Sequence, residues 1–100
     1  MRARGPGPRR MNVRIPGLLL SYTNGAKNVE LSIAQAAPTL ADALAALNER
    51  YPGMRFRVVD ERGAIRAHIK MFVDGVLARD LATPVRSDGE LMIVGALTGG

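Results

Sequence analysis

The stretch from Pro38 to Arg50 limits the possible folds more than any other part of the chain. Leu40, Ala43, Leu44 and Leu47 recur at i, i+3, i+4 and i+7, the spacing that gathers apolar side chains on one stripe of an α-helix. Thr39 stands where the first-turn N–H groups need an acceptor. Asp42, three residues on, fits a capping box and suits the positive end of the helix dipole. Alanines at 41, 43, 45 and 46 favour helix and keep the element slim, and Pro52-Gly53 stops it. The spacing predicts a helix over 40–50 with its leucines laid on a sheet.

The runs on either side alternate with the period of strands. Val13 and Ile15 oppose Asn12 and Arg14, and Pro16-Gly17 ends or bends this run, with Leu18 to Leu20 continuing it beyond the break. Thr23-Asn24-Gly25 signals a tight turn, because Asn-Gly accepts positive φ angles. Val29, Leu31 and Ile33 then alternate with Glu30 and Ser32, so the two runs form an N-terminal hairpin. Phe56, Val58 and Val59 fit either a short helical turn or a strand, and Asp60 to Gly63 turns the chain. Ile69, Met71 and Val73 alternate with Lys70 and Phe72, Asp74-Gly75 closes a second tight turn into Val76-Leu77, and Asp88-Gly89 leads into a last strand. There Leu91 and Ile93 share one face, with Met92 and Val94 on the other. Hairpin, helix and further strands make an α+β fold: a mixed sheet of four to five strands with one main helix on one face.

Charge and composition remove many functions. The 100 residues carry a net charge of +5, a balance that suggests an anionic partner. Four of the fourteen basic residues (Arg2, Arg4, Arg9, Arg10) lie in the first ten positions, which hold no acid. Residues 11–100 keep ten basic and nine acidic side chains, a net of +1. The expected organisation is a disordered basic tail over 1–10, one domain over 11–94 and a flexible end over 95–100. No apolar run approaches a secretory signal or a membrane span, so the chain reads as soluble and cytoplasmic, with no membrane partner. There is no cysteine and the one histidine is His68. That leaves no Cys–His pair and no zinc cluster, and no metal site is expected. His68 reads as a plain strand residue, while Asp60, Glu61, Asp74 and Asp88 fall in turns, where acids are favoured for backbone reasons. The chain is therefore read as a protein co-substrate or non-catalytic subunit and not as an enzyme.

The remaining feature is the ending Gly95-Ala96-Leu97-Thr98-Gly99-Gly100. Gly-Gly has no side chains and can enter a channel as narrow as a backbone. Its terminal carboxylate is a group that another enzyme could activate, with the chemistry carried on the main chain.

The order of elements, the Thr39-Leu40 helix start with Tyr51-Pro52-Gly53 behind it, Phe72-Val73-Asp74-Gly75, Leu81 with Thr83-Pro84, and the run Asp88 to Gly100 together resemble the ubiquitin-like β-grasp sulfur carriers of the MoaD/ThiS type. These include the small subunit of molybdopterin synthase and the carriers of thiamin and cysteine biosynthesis. The resemblance implies that the Gly100 carboxylate is adenylated by a ubiquitin-activating-type enzyme, which uses ATP and magnesium, and then becomes a thiocarboxylate. Gly99 lets the end thread. The sulfur passes to an acceptor enzyme, a synthase large subunit or a cysteine-synthase-like protein, and the carrier binds no cofactor itself. Length and the 51–75 region look closer to the cysteine-biosynthesis type. Docking is expected on the outward face of the sheet through Phe72, Met92 and Val94, with Leu77 added by the resemblance. Leu97 and Thr98 depart from the family's usual endings and are expected to bear on partner choice. A ubiquitin-like modifier joined to lysines through Gly100 is the alternative. A third reading, a basic nucleic-acid adaptor, conflicts with the near-neutral body, and no nucleic-acid partner is expected.

Overall fold

The structure, a computed structural model, describes residues 9–95. The expected tail residues 1–8 and the end residues Leu97, Thr98, Gly99 and Gly100 lie outside them. Five strands form one mixed sheet in the order β2-β1-β5-β3-β4. They are β1 (Arg9–Arg14), β2 (Asn28–Ile33), β3 (Ile69–Val73), β4 (Val76–Ala78) and β5 (Gly89–Gly95). Two helices, α1 (Leu40–Arg50) and α2 (Met54–Val58), and a 3₁₀ helix (Gly17–Thr23) complete the fold. Neither α-helix nor the 3₁₀ helix is long and apolar enough to cross a membrane.

The leucine stripe behaves as its spacing requires. Leu40, Ala43, Leu44 and Leu47 are all buried, against Val13, Leu31, Met71, Leu91 and Ile93 from the inner face of the sheet. At the start of α1 the Asp42 carboxylate accepts the Thr39 N–H at 2.8 Å. The next two donors go elsewhere: Leu40 N–H to the Thr83 carbonyl at 2.8 Å and Ala41 N–H to the Leu81 carbonyl at 3.0 Å. The loop before β5 thus satisfies groups that a helix end leaves open, and it fastens α1 to the C-terminal half of the chain.

Three local readings change. Leu18 to Leu20 do not continue a strand; they lie in the 3₁₀ helix, with Leu19 buried and Leu18 exposed. Three consecutive leucines carry no period, so their helical or extended state is decided by packing. The hairpin connection is consequently long, although Asn24 (φ 54°) and Gly25 (φ 88°) do take the left-handed conformation. Second, β1 begins at Arg9, so Arg9 and Arg10, read as part of a disordered tail, pair with Ile33 and Ser32 of β2. The Arg10 side chain reaches Glu30 at 3.9 Å. Third, β5 extends to Gly95, which pairs with Ile69. The open choice for 54–58 resolves to helix: Asn48 Oδ1 accepts the N–H groups of Gly53 and Arg55, both at 3.0 Å, and so starts α2 directly behind α1.

Both ends of β5 are glycine, for different reasons. A Cβ at Gly89 would stand 2.9 Å from the Arg86 carbonyl oxygen, which is backbone and cannot turn aside. A Cβ at Gly95 would overlap the end of the Leu18 side chain, which is 42% exposed and free to swing away. Gly89→Ala is therefore expected to cost about 1–3 kcal/mol, and Gly95→Ala clearly less. Urea unfolding of both variants measures the difference; equal costs would mean that Leu18 cannot yield.

Candidate functional site

The outer face of the sheet carries the residues expected to dock. Met92 of β5 pairs with Phe72 of β3, and Phe72 pairs in turn with Leu77 of β4. The register therefore lines up Met92, Phe72 and Leu77 across three adjacent strands, side by side on one face, where cross-strand neighbours touch. All three are half-buried. Val94, 37% exposed, extends the row along β5 beside Lys70. Arg14 of β1 pairs with Met92 at the other end of the row. The alternate residues Ile69, Met71, Leu91 and Ile93 are buried on the inner face. The structure thus brings Phe72, Leu77, Met92 and Val94 together as one apolar strip with a basic residue at two of its margins.

β5 is paired with β1 over Gly89–Met92 and with β3 over Leu91–Gly95, so Leu91 and Met92 are held on both sides. Gly95, at the end of β5, lies beneath Leu18 and pairs with Ile69. Next to Gly95 is an open groove of about 420 Å³, walled by Leu18, Tyr22, Phe56, Arg57, Arg66 and His68. None of these was singled out as a site residue from the sequence. Arg57 and Phe56 come from α2, Arg66 from the loop before β3, and Tyr22 from the 3₁₀ helix.

Local hydrogen bonds bring them together. Asp60 Oδ1 accepts the N–H groups of Arg62 and Ala64 at 2.9 and 3.0 Å, closing a loop over 60–64. Arg66 N–H then bonds the Val58 carbonyl at 2.9 Å, which sets the Arg66 side chain back over α2. Its guanidinium lies 4.7 Å above the Phe56 ring. Among the described residues no group of three or more His, Asp or Glu side chains could hold a metal ion.

No family model matches the sequence, and no characterised protein sequence matches it. Solved structures do. A chain of the Amycolatopsis orientalis BexX/CysO complex is 27% identical with a TM-score of 0.77, over 90% of this chain and 99% of that one. SAMP1 of Haloferax volcanii, a small archaeal modifier protein, is 25% identical with a TM-score of 0.77, over 91% and 99%. Mycobacterium tuberculosis CysO is 25% identical with a TM-score of 0.76, over 87% and 99%. These neighbours are ubiquitin-like β-grasp proteins of the MoaD/ThiS type, and the chain shares their α+β fold, as the resemblance in sequence implied.

The Asp60 loop yields a pH prediction. Its carboxyl is held below the ordinary 3.8, first by the hydrogen bond from Ala64 N–H, which desolvation opposes, and then by Arg62 N–H and the charges of Arg66 and Arg62. A carboxyl whose folded-state pKa is lowered adds stability above its unfolded pKa and loses it as pH falls through the lowered value. Asp60→Asn is expected to flatten the acid limb of stability below pH 3.8 relative to the native chain. Unfolding followed across that range checks this; parallel limbs would contradict it.

Proposed function

We propose that the chain is a sulfur carrier whose Gly100 carboxylate is activated as an adenylate and converted to a thiocarboxylate. The observation that carries this reading is the position of β5. It is a strand clamped in the sheet, bearing Met92 and Val94 of the apolar strip, and it leads within five residues to Gly99-Gly100. Five residues span at most about 17 Å when extended. A protein docked on the strip is thus within reach of the terminal carboxylate.

The chemistry follows from the poor electrophilicity of a carboxylate. Its oxygen attacks the α-phosphorus of ATP in the site of a ubiquitin-activating-type partner, which holds the magnesium, and pyrophosphate leaves. Hydrosulfide then attacks the acyl carbon and AMP departs, leaving the thiocarboxylate and a proton. The sulfur passes to an acceptor enzyme, a synthase large subunit or a cysteine-synthase-like protein. The chain contributes a docking face, a narrow glycine end and one carboxylate, acting as co-substrate in the cytoplasm. Similarity to CysO at 25–27% identity favours an acceptor of the cysteine-biosynthesis kind. Similarity to a small archaeal modifier protein supports a second reading, in which a lysine amine takes the acyl group and an isopeptide results.

Intact mass of the chain recovered from its own cells separates the two. A species heavier by the difference between sulfur and oxygen is expected, and it should vanish when Gly100 is deleted. Gly-Gly remnants on lysines of other proteins, with no such species, would replace the carrier by the modifier; neither product would remove both. Phe72→Ser is expected to leave the fold intact and lower the thiocarboxylated fraction several-fold. An unchanged fraction would move docking off the strip.

A further inference from the structure

The two arginines of the groove are prepared for an anion that the described residues do not supply. Arg57 Nε donates to the Tyr22 hydroxyl at 2.6 Å, with its guanidinium 5.6 Å from the Tyr22 ring centre. Arg66 Nε donates to the Phe56 carbonyl at 2.8 Å and lies over the Phe56 ring. Each guanidinium is held at Nε and against an aromatic face, and its terminal NH₂ groups have no acceptor among the described residues. The ion pair found among those residues, Arg10 with Glu30, is elsewhere. Asp60 is close enough to feel the Arg66 charge, but its Oδ1 is occupied by two backbone N–H groups. Among the described residues no acid lines the groove. Fixed guanidiniums with free N–H pairs match the bidentate geometry of a carboxylate.

The groove also adjoins Gly95, the end of β5. Leu18 forms part of its wall and overlies Gly95. His68, on the wall, immediately precedes Ile69, the partner of Gly95 in the sheet. A protein that binds the chain at Gly95 meets Leu18, and through Leu18 it borders the groove. Covering two cations without an anion strands buried unpaired charge, which is strongly unfavourable.

We infer that this groove docks an acidic segment of the protein that handles the chain's end, its carboxylates on Arg57 and Arg66 and an apolar residue on Leu18 and Phe56. Phe56 is 60% exposed, leaving ring surface for that residue. The inference rests on the carrier reading, because that reading requires a partner to enclose the end. It adds a contact separate from the apolar strip, one that fixes the direction in which the partner's segment crosses Gly95.

The test uses the full chain with a synthetic acidic peptide, acetyl-Glu-Glu-Leu-Glu-Glu-Leu-amide, and its glutamine counterpart as the neutral control. Titration followed on the arginine Nε–H and backbone amide NMR signals should give saturable shifts at Phe56, Arg57 and Arg66. These should be lost in high salt and with the glutamine peptide. Affinity should fall roughly tenfold in R57Q/R66Q and be partly kept in R57K/R66K, with amide spectra showing that both variants fold. Shifts confined to Arg10, Arg14 and Lys70, or equal for both peptides, would overturn the inference. In cells, R57Q/R66Q should acquire the thiocarboxylate several-fold more slowly. If the native chain is loaded and R57Q/R66Q is loaded just as fast, the groove inference alone falls. If the native chain is never loaded, the carrier reading falls, and the peptide titration still decides whether the groove takes carboxylates.

Discussion

The last strand of the chain occupies the middle of its sheet, parallel to β1 and antiparallel to β3. Much of the structure depends on this insertion. Leu91 and Ile93 of β5 sit under the α1 stripe, so the core is incomplete until the C-terminal segment arrives. The turn at Asp74-Gly75 is tied to the same strand: Asp74 N–H bonds the Glu90 carbonyl, and Asp74 Oδ1 accepts the Glu90 N–H, both at 2.9 Å. At the other margin Asp88 N–H bonds the Arg10 carbonyl at 2.7 Å. Pairing the first strand with the last is a contact of long sequence separation, with a closure cost that local helices do not pay. In return β5 is held by β1 over its first half and by β3 over its second, with Met92 paired on both sides and Val94 on one.

A strand with one buried and one open face assigns its side chains by parity. Leu91 and Ile93 serve the core; Met92 and Val94, one position away, cannot reach it. The same parity on β3 puts Met71 inside and Phe72 outside. The apolar strip is therefore not excess core material. It is placed outward by the register that buries its neighbours, and a one-residue slip would reverse every position. Phe72 and Met92 shield each other, which makes the strip tolerable in water while leaving surface that a second protein can cover.

The elements with a clear period are legible in the sequence. The i, i+3, i+4, i+7 stripe locates α1, and the alternation at 69–73 and 91–94 locates β3, β5 and the outward face. Asp74, at φ 50°, and Gly75, at φ 84°, take the left-handed conformations that an Asp-Gly turn announces. Leu18 to Leu20 mislead because a run of one residue type has no period to measure. Arg9 and Arg10 belong to a tail by composition, but backbone pairing with Ile33 and Ser32 is indifferent to composition. The groove is invisible for another reason. Arg57 and Arg66 are nine positions apart on no common face, and only the Asp60 loop and the fold of the 3₁₀ helix bring them to Tyr22 and Phe56. The exposed aromatics beside arginines, Phe56-Arg57 in particular, are the available signal, and spacing alone gives them no direction.

These placements also bear on what the net charge of +5 means. Attraction to an anion depends less on the count of cations than on whether each is fixed, paired or free. Arg10 faces Glu30 across an exposed gap, a pair that solvent largely screens. Arg50 gives a terminal N–H to the Glu30 carbonyl at 2.7 Å, on the edge strand β2. That bond blunts an edge which could otherwise recruit another strand. Arg57 and Arg66, by contrast, are held by aromatic rings at one end and open at the other. Two guanidiniums preorganised in this way lose little side-chain entropy on meeting a carboxylate. In choosing a partner, two such groups count for more than the net charge of the chain. A chain whose body is nearly neutral can therefore still be selective for an acidic segment, at one groove and in one orientation.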